Sequence, residues 1–231
     1  MALTLRVDVD KPFGNHTLVR KIASKFFEDT GILPPKIGYL SHVEDFLYIL
    51  EKHGVKAVFY FRICTLPTAV IIQYLQKIGH KIGWHAEDTR NFKTFSDELT
   101  KFQELTGILP HSFSKHGSGI RKLGRYHYPP YEEEKYLQWA NEVNVPFIFG
   151  NGMAQEELKN LNNFYPDVFW LERNYRSKKF DSLEKVISLA NNQIVPILTH
   201  PENVIRDKNC LADLEKLITL SKIHNVQWML L

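Results

Sequence analysis

Five side chains stand where metal-assisted hydrolysis would need them. Asp8 and Asp10 end the first stretch of alternating apolar and polar residues, and a spacing of two in a strand puts both carboxylates on one side. His85 closes a later extended stretch, His116 follows another, and His200 terminates the apolar run 194–199. In a parallel barrel the C-terminal ends of all strands meet at one face, where active sites are built. Carboxylates beside imidazoles make the ligand set of a zinc-like hydrolytic site. A divalent metal held there lowers the pKa of its water from about 15.7 to about 7. One carboxylate can bind the metal while its neighbour takes the proton of that water, and a histidine on the far side can protonate a leaving amine. The chemistry this suits is hydrolysis of an amide or ester.

Each residue also has a plainer reading. Aspartates start loops and cap helices, but Asp is depleted in strands, and two on one face are costly unless paired. His116 precedes Gly117 and Gly119 and would equally suit a tight surface turn. His80 points away from His85 by alternation, so a structural role is expected. His16, His42, His53, His111, His127 and His224 read as surface or packing residues. Trp84, Tyr60, Phe61, Trp170 and Tyr175 are candidates to flank a sugar ring, with core packing as the competing role. Arg173 and Arg176 are candidates for an anionic group, with a solvated loop as the alternative.

The elements that must position these residues alternate. Strands are expected at 3–10, 55–62, 80–85, 111–115, 146–149, 168–172, 193–200 and 226–231. Helices are expected at 41–53, 67–79, 95–105, 131–143, 181–190 and 211–223. Ser41 with Glu44 suggests a capping box, and Gly54 a stop. The stretches 12–39, 117–130 and 150–166 read as long loops. Alternation of this kind predicts an α/β fold with a parallel sheet closed toward a barrel. No Pro/Gly/Ser linker or charge block divides the chain, so a single domain over 1–231 is expected.

Composition narrows the function. The chain is 44% hydrophobic and 24% charged, as in ordinary globular proteins, and its formal net charge is only +3. Lys and Arg are scattered among acids, so no nucleic-acid partner is expected. No apolar run reaches the roughly 18 residues of a membrane span, and the first residues carry no basic leader or cleavage site. Cys64 and Cys210 lie far apart in no CxxC pattern and read as reduced thiols, Cys64 as a small buried hydrophobe. A cytoplasmic location is expected.

Three segments carry a resemblance. Val7-Asp-Val-Asp10, Gly79-His-Lys-Ile-Gly-Trp-His85 and Ile197-Leu-Thr-His-Pro201 resemble the first, second and last motifs of the polysaccharide deacetylases, carbohydrate esterase family 4. Val55-Lys-Ala-Val-Phe-Tyr-Phe61 resembles the strand between the first two motifs. The ordered set runs from about residue 3 to 205. The resemblance implies a distorted seven-stranded (β/α) barrel, open where an eighth strand would close it. It also implies that Asp8 is the catalytic base, Asp10 and His85 are metal ligands, and His200 is the general acid.

The chain departs from the family pattern in two places. Thr89 stands where a second motif histidine is usual, and Phe113-Ser-Lys-His-Gly-Ser-Gly119 lacks the usual arginine. His116 is the candidate to complete the metal set, with Glu87 or Asp88 as alternatives, and Lys115 is the candidate for part of the arginine's role. The implied function is metal-dependent, most simply zinc-dependent, removal of an acetyl group from an N-acetylated sugar or saccharide intermediate, with surface polysaccharide biosynthesis as the setting. A hydrolase of other linear or cyclic amides, and a catalytically degenerate binding or assembly protein, are the competing readings.

Overall fold

The computed structural model describes residues 2–32, 34–155, 158–161 and 163–231. Its elements, in chain order, begin with β1 (Ala2–Val9), α1 (Leu18–Thr30), α2 (Ser41–His53), β2 (Ala57–Phe61), α3 (Ala69–Lys77) and β3 (Lys81–Ala86). α4 (Phe92–Thr106), β4 (Phe113–Lys115), α5 (Glu133–Val143), β5 (Phe149–Met153) and β6 (Tyr165–Trp170) follow. α6 (Leu183–Ala190), β7 (Ile194–Thr199), α7 (Pro201–Arg206), α8 (Lys208–Ile223) and β8 (Gln227–Trp228) complete them.

β1 is the centre of the sheet, with strand order β4-β3-β2-β1-β7-β6-β5, and the paired strands are parallel. β8 adds a short pairing to the start of β1. The ends of the sheet meet at a single bridge, where the Phe113 N–H donates to Pro146 O (2.8 Å) and Phe113 pairs with Phe147. The result is an α/β barrel of seven strands, nearly closed at that seam. Alternation along β1 divides its residues. Leu3, Leu5, Val7 and Val9 join the large apolar core shared with the helices. Arg6 instead meets Phe149 and Tyr60, members of the smaller cluster of Val58, Tyr60, Phe149, Tyr165, Val168 and Leu198 inside the barrel.

Several boundaries differ from the sequence expectation. α1 lies inside 12–39, the first stretch expected to be loop. Leu18, Val19, Ile22, Phe26 and Phe27 recur at helical spacing behind the Thr17 cap, so its signal does lie in the sequence, although its buried positions are Ser24 and Glu28. β5 falls mainly within 150–166, also expected to be loop, because Phe149-Gly-Asn-Gly-Met153 reads as a turn. The glycines instead permit close packing: a Cβ at Gly150 would stand 2.3 Å from Pro166 O. α3 starts at Ala69 behind a Thr68 cap, α4 starts earlier, at Phe92 behind Asn91, and the short α7 follows directly on β7. β8 covers only two residues of the strand expected at 226–231.

His80 and Gly83 give two tests of this packing. His80 Nδ1 accepts the Ala57 N–H (3.0 Å) beneath the edge of Phe59, and burial pulls its pKa down to about 4. The unfolded chain therefore binds a proton that the folded chain refuses. This stabilisation is complete above the ordinary histidine value, about 6.5, and is lost as the pH falls toward 4, by about 2–3 kcal/mol. Urea unfolding across that window should show a shallower acid loss in His80→Gln than in the wild type. At Gly83 a Cβ would lie 2.5 Å from the Tyr60 ring and 3.0 Å from Ser112 O. Gly83→Ala should lower the unfolding free energy by about 1–3 kcal/mol; an unchanged urea midpoint would show that Tyr60 can move aside.

Candidate active site

The strand ends deliver the predicted residues to one rim. Asp8 and Asp10 come from the end of β1, His85 from β3, His116 from the residue after β4 and His200 from the residue after β7. All five line one pocket. His85 lies opposite Ser114 in the β3–β4 register, and the His116 N–H donates to Ala86 O (2.8 Å), which carries His116 one step further along the barrel axis.

Asp10, His85 and His116 form a triangle of ligand atoms. Asp10 Oδ1 is 3.4 Å from His85 Nε2 and 3.2 Å from His116 Nδ1, and the two nitrogens are 3.2 Å apart. Tetrahedral zinc with bonds of about 2.0–2.1 Å sets neighbouring ligand atoms about 3.3–3.4 Å apart. Asp10 Oδ1 is also buried without a well-formed hydrogen bond. These features fit a divalent cation. For its Nε2 to offer a lone pair, His85 must carry its proton on Nδ1, which then donates to Ser114 Oγ (2.7 Å). Burial and the nearby Arg62 guanidinium hold the His116 imidazolium well below the ordinary histidine value, favouring the neutral form that binds metal. Burial opposes charge on Asp10, yet His116, His85 and His200 together hold its carboxyl well below the usual carboxylate range.

Two flanking groups are held by partners the sequence reading did not single out. Arg6 donates from Nε to Asp8 Oδ1 (2.9 Å), from Nη2 to Oδ2 (2.7 Å) and from Nη1 to Gly150 O (2.7 Å). Opposite, Glu172 Oε1 takes His200 Nδ1 (3.0 Å), the His200 N–H (2.9 Å) and Thr199 Oγ1 (3.2 Å). Burial disfavours charge on His200, but Glu172, reinforced by Asp10, holds its pKa well above the ordinary value. His200 Nε2 then faces the centre, 3.6 Å from Asp10 Oδ2. Sequence spacing contained a signal for Arg6, which shares a strand face with Asp8, and for Glu172, which ends the strand expected at 168–172.

Other candidates are engaged elsewhere. Arg62 takes Glu87 (2.7 Å), Arg90 takes Asp88 (2.6 Å), and the Thr89 hydroxyl faces Tyr136 (3.3 Å), so the loop after β3 adds no ligand to the triangle. Lys115, considered for part of the missing arginine's role, donates from Nζ to His116 O (2.6 Å), and the guanidinium that pairs with Asp8 is that of Arg6. Arg173 and Arg176 pair with Asp213 (2.7 and 2.6 Å), which explains their presence without an anionic ligand. Of the aromatics considered, Trp84, Tyr60 and Phe61 are core residues, while Trp170 and Tyr175 line the pocket. Among the other histidines, His42 is buried, and His127 is buried beneath the centre with Nδ1 accepting the Leu123 N–H, so Nε2 donates to His116 O (2.8 Å). Cys64 and Cys210 are both buried, free thiols.

No family model matches the chain, and no curated protein matches its sequence. Solved structures do share its fold. A probable polysaccharide deacetylase from Pseudomonas aeruginosa PAO1 superposes with a TM-score of 0.56 at 14% identity, over 99% of this chain and 87% of that one. A polysaccharide deacetylase from Bacillus cereus gives 0.54 at 12% identity, over 100% and 91%. A Bacillus anthracis protein described as a carbohydrate esterase family 4 pseudoenzyme gives 0.51 at 13% identity, over 98% of this chain and 62% of that one. At these identities the likeness is one of fold: the chain has the barrel of the polysaccharide deacetylases.

The triangle makes a direct prediction. Elemental analysis of purified protein should find zinc in the wild type and in Thr89→Ala, and little in His116→Ala. Full metal content in His116→Ala would remove that histidine from the ligand set.

Proposed function

We propose that this chain is a metal-dependent hydrolase that releases acetate from an N-acetylated sugar or saccharide intermediate. One observation carries the reading: a cation-sized triangle of Asp10, His85 and His116 lies between a carboxylate locked by Arg6 and an imidazole charged by Glu172. Asp10, His85 and His116 would hold the metal, most simply zinc, and when bound it supplies Lewis-acid polarisation and an acidified water.

The chain's own groups account for the proton movements. Asp8, fixed by two hydrogen bonds from Arg6, takes the proton of the attacking water. His200 carries its proton on Nε2, because Glu172 anchors Nδ1, and delivers it to the departing nitrogen. The amide C–N bond breaks as the water oxygen bonds to carbon, leaving acetate and a free amine. Two groups of opposite protonation state on either side of one centre are what such a transfer requires.

Trp170 supports a sugar as substrate. Its indole stacks on His200 (5.9 Å between centroids, 28°) and packs against Tyr175 (5.2 Å). It thus offers a flat apolar wall beside the proton donor, suited to a pyranose ring.

Asp8→Asn provides the test. On N-acetylated saccharides it should reduce acetate release by about 10²–10⁴-fold, the usual contribution of a positioned base, while elemental analysis finds its metal unchanged. Loss of metal together with activity would make Asp8 a ligand instead. No acetate from a broad saccharide panel with zinc or cobalt added, despite bound metal, would overturn the sugar reading.

A further inference from the structure

α1 is turned inside out. Its inner side carries Phe27, packed on Phe13 (5.7 Å), but its fully buried residues are polar: Ser24 Oγ accepts the Phe13 N–H (3.2 Å) and donates to Gly14 O (3.0 Å), and Glu28 pairs with Arg62 (2.8 Å) and Lys11 (3.2 Å). Its outer side is apolar. Leu18, Ile22 and Phe26 follow at four-residue intervals with Val19 beside them, and these side chains are 53–76% exposed. A surface helix ordinarily shows the reverse polarity. Single exposed apolar residues need no explanation, but a contiguous stripe does.

The stripe continues onto the segment 117–126. Lys25 Nζ donates to Leu123 O (2.9 Å), and Tyr126 packs over Gly31 at the end of α1, fixing this segment against the helix. Ile120 projects from it, 91% exposed, with Leu123 and Tyr126 partly exposed nearby. Lys21, Lys25, Arg121, Lys122 and Arg125 are exposed on the same two segments. On α1 the acids are the buried Glu28 and Asp29, which is paired with Lys25 (2.9 Å). Ile120, Arg121 and Leu123 also line the pocket of Asp10, His85 and His116, as do Lys11 and Asn15 just before α1. The 117–126 part of this face therefore borders that pocket.

A projecting apolar stripe interleaved with cations has a particular complement. A second copy of the same face would bring like charges together. A neutral protein groove would leave the cations unmatched. A lipid surface accepts both, with apolar tips entering the headgroup–acyl boundary and lysines and arginines resting on anionic headgroups. We propose that the α1 and 117–126 face docks on an anionic membrane surface, so that the pocket opens toward substrate presented there. The docking does not depend on the chemistry assigned to the pocket.

Co-sedimentation with vesicles of phosphatidylcholine and phosphatidylglycerol in equal parts, compared with pure phosphatidylcholine, tests this. The wild type should pellet with the anionic vesicles and be released by high salt. Ile22→Ser/Phe26→Ser and Lys21→Glu/Lys122→Glu should each bind about tenfold more weakly or worse. Both variants alter exposed positions, so their circular dichroism and metal content should match the wild type and exclude misfolding. Wild-type protein left in the supernatant, or variants that pellet as well as the wild type, would overturn the proposal. So would a wild-type dimer by light scattering that either variant dissociates, since that would identify the occupant as a second copy.

Discussion

Two guanidinium groups that water does not reach hold the acids of the rim in place. Arg6 lies inside the barrel and grips both oxygens of Asp8. Arg62, at the end of β2, grips Glu87 and Glu28 and donates to the backbone oxygen of Asp10 (2.8 Å). A buried carboxylate without a partner is so costly that it protonates or moves. A rim dense in Asp8, Asp10, Glu87, Glu28 and Glu172 can therefore exist only because cations are buried with it. Removing one member of such a pair typically costs about 3–5 kcal/mol, because its partner is left charged and dry. The arginines thus secure the positions of these carboxylates.

The same constraint explains how much of the site was legible in the sequence. Asp8, Asp10, His85, His116 and His200 stood out because polar residues that end apolar strands have few ordinary reasons to be there. The rule that parallel strands share one C-terminal rim then gathered them without coordinates. Arg6 and Glu172 were harder to see. An arginine within an alternating strand looks like its solvent face, and only closure of the barrel turns that face inward. Glu172 looks like a polar strand end until His200 is known to lie beside it. The α1 segment shows helical spacing at Leu18, Val19, Ile22 and Phe26, but reading its inner face from that spacing rests on the assumption that the apolar side is the buried one. Here that assumption fails, and the glycine-bearing β5 fails the corresponding test for strands.

The loop after β3 lends no atom to the triangle of Asp10, His85 and His116, and its own contacts explain why. Thr89 is buried against Tyr136, and its loop is tied down by Arg62 at Glu87 and by the Glu98 carboxylate, which accepts the N–H groups of Glu87 and Asp88. That loop serves the ionic network behind the centre. β4 is the neighbouring strand, with Ser114 level with His85, and its backbone pairing with Ala86 sets His116 one step beyond that level. His116 Nδ1 thus stands 3.2 Å from Asp10 Oδ1 although it comes from a different strand end than His85. Motif spacing is a property of the chain, whereas a coordination triangle is a property of the rim.

The rim also shows how one residue type comes to hold opposite charge states a few ångströms apart. His116 and His200 both approach Asp10, at 3.2 and 3.6 Å, and both are buried. Burial alone would discharge both. His116 has the Arg62 guanidinium and a second imidazole near it, and its Nε2 finds no partner, so nothing offsets the lost hydration except Asp10 itself. His200 has Glu172 on its Nδ1 and Asp10 beyond its Nε2, and two carboxylates outweigh desolvation. One imidazole is left neutral and the other charged. The asymmetry originates with Glu172 on one side and Arg62 on the other, residues behind the rim that sort two imidazoles beside the same carboxylate into opposite charge states.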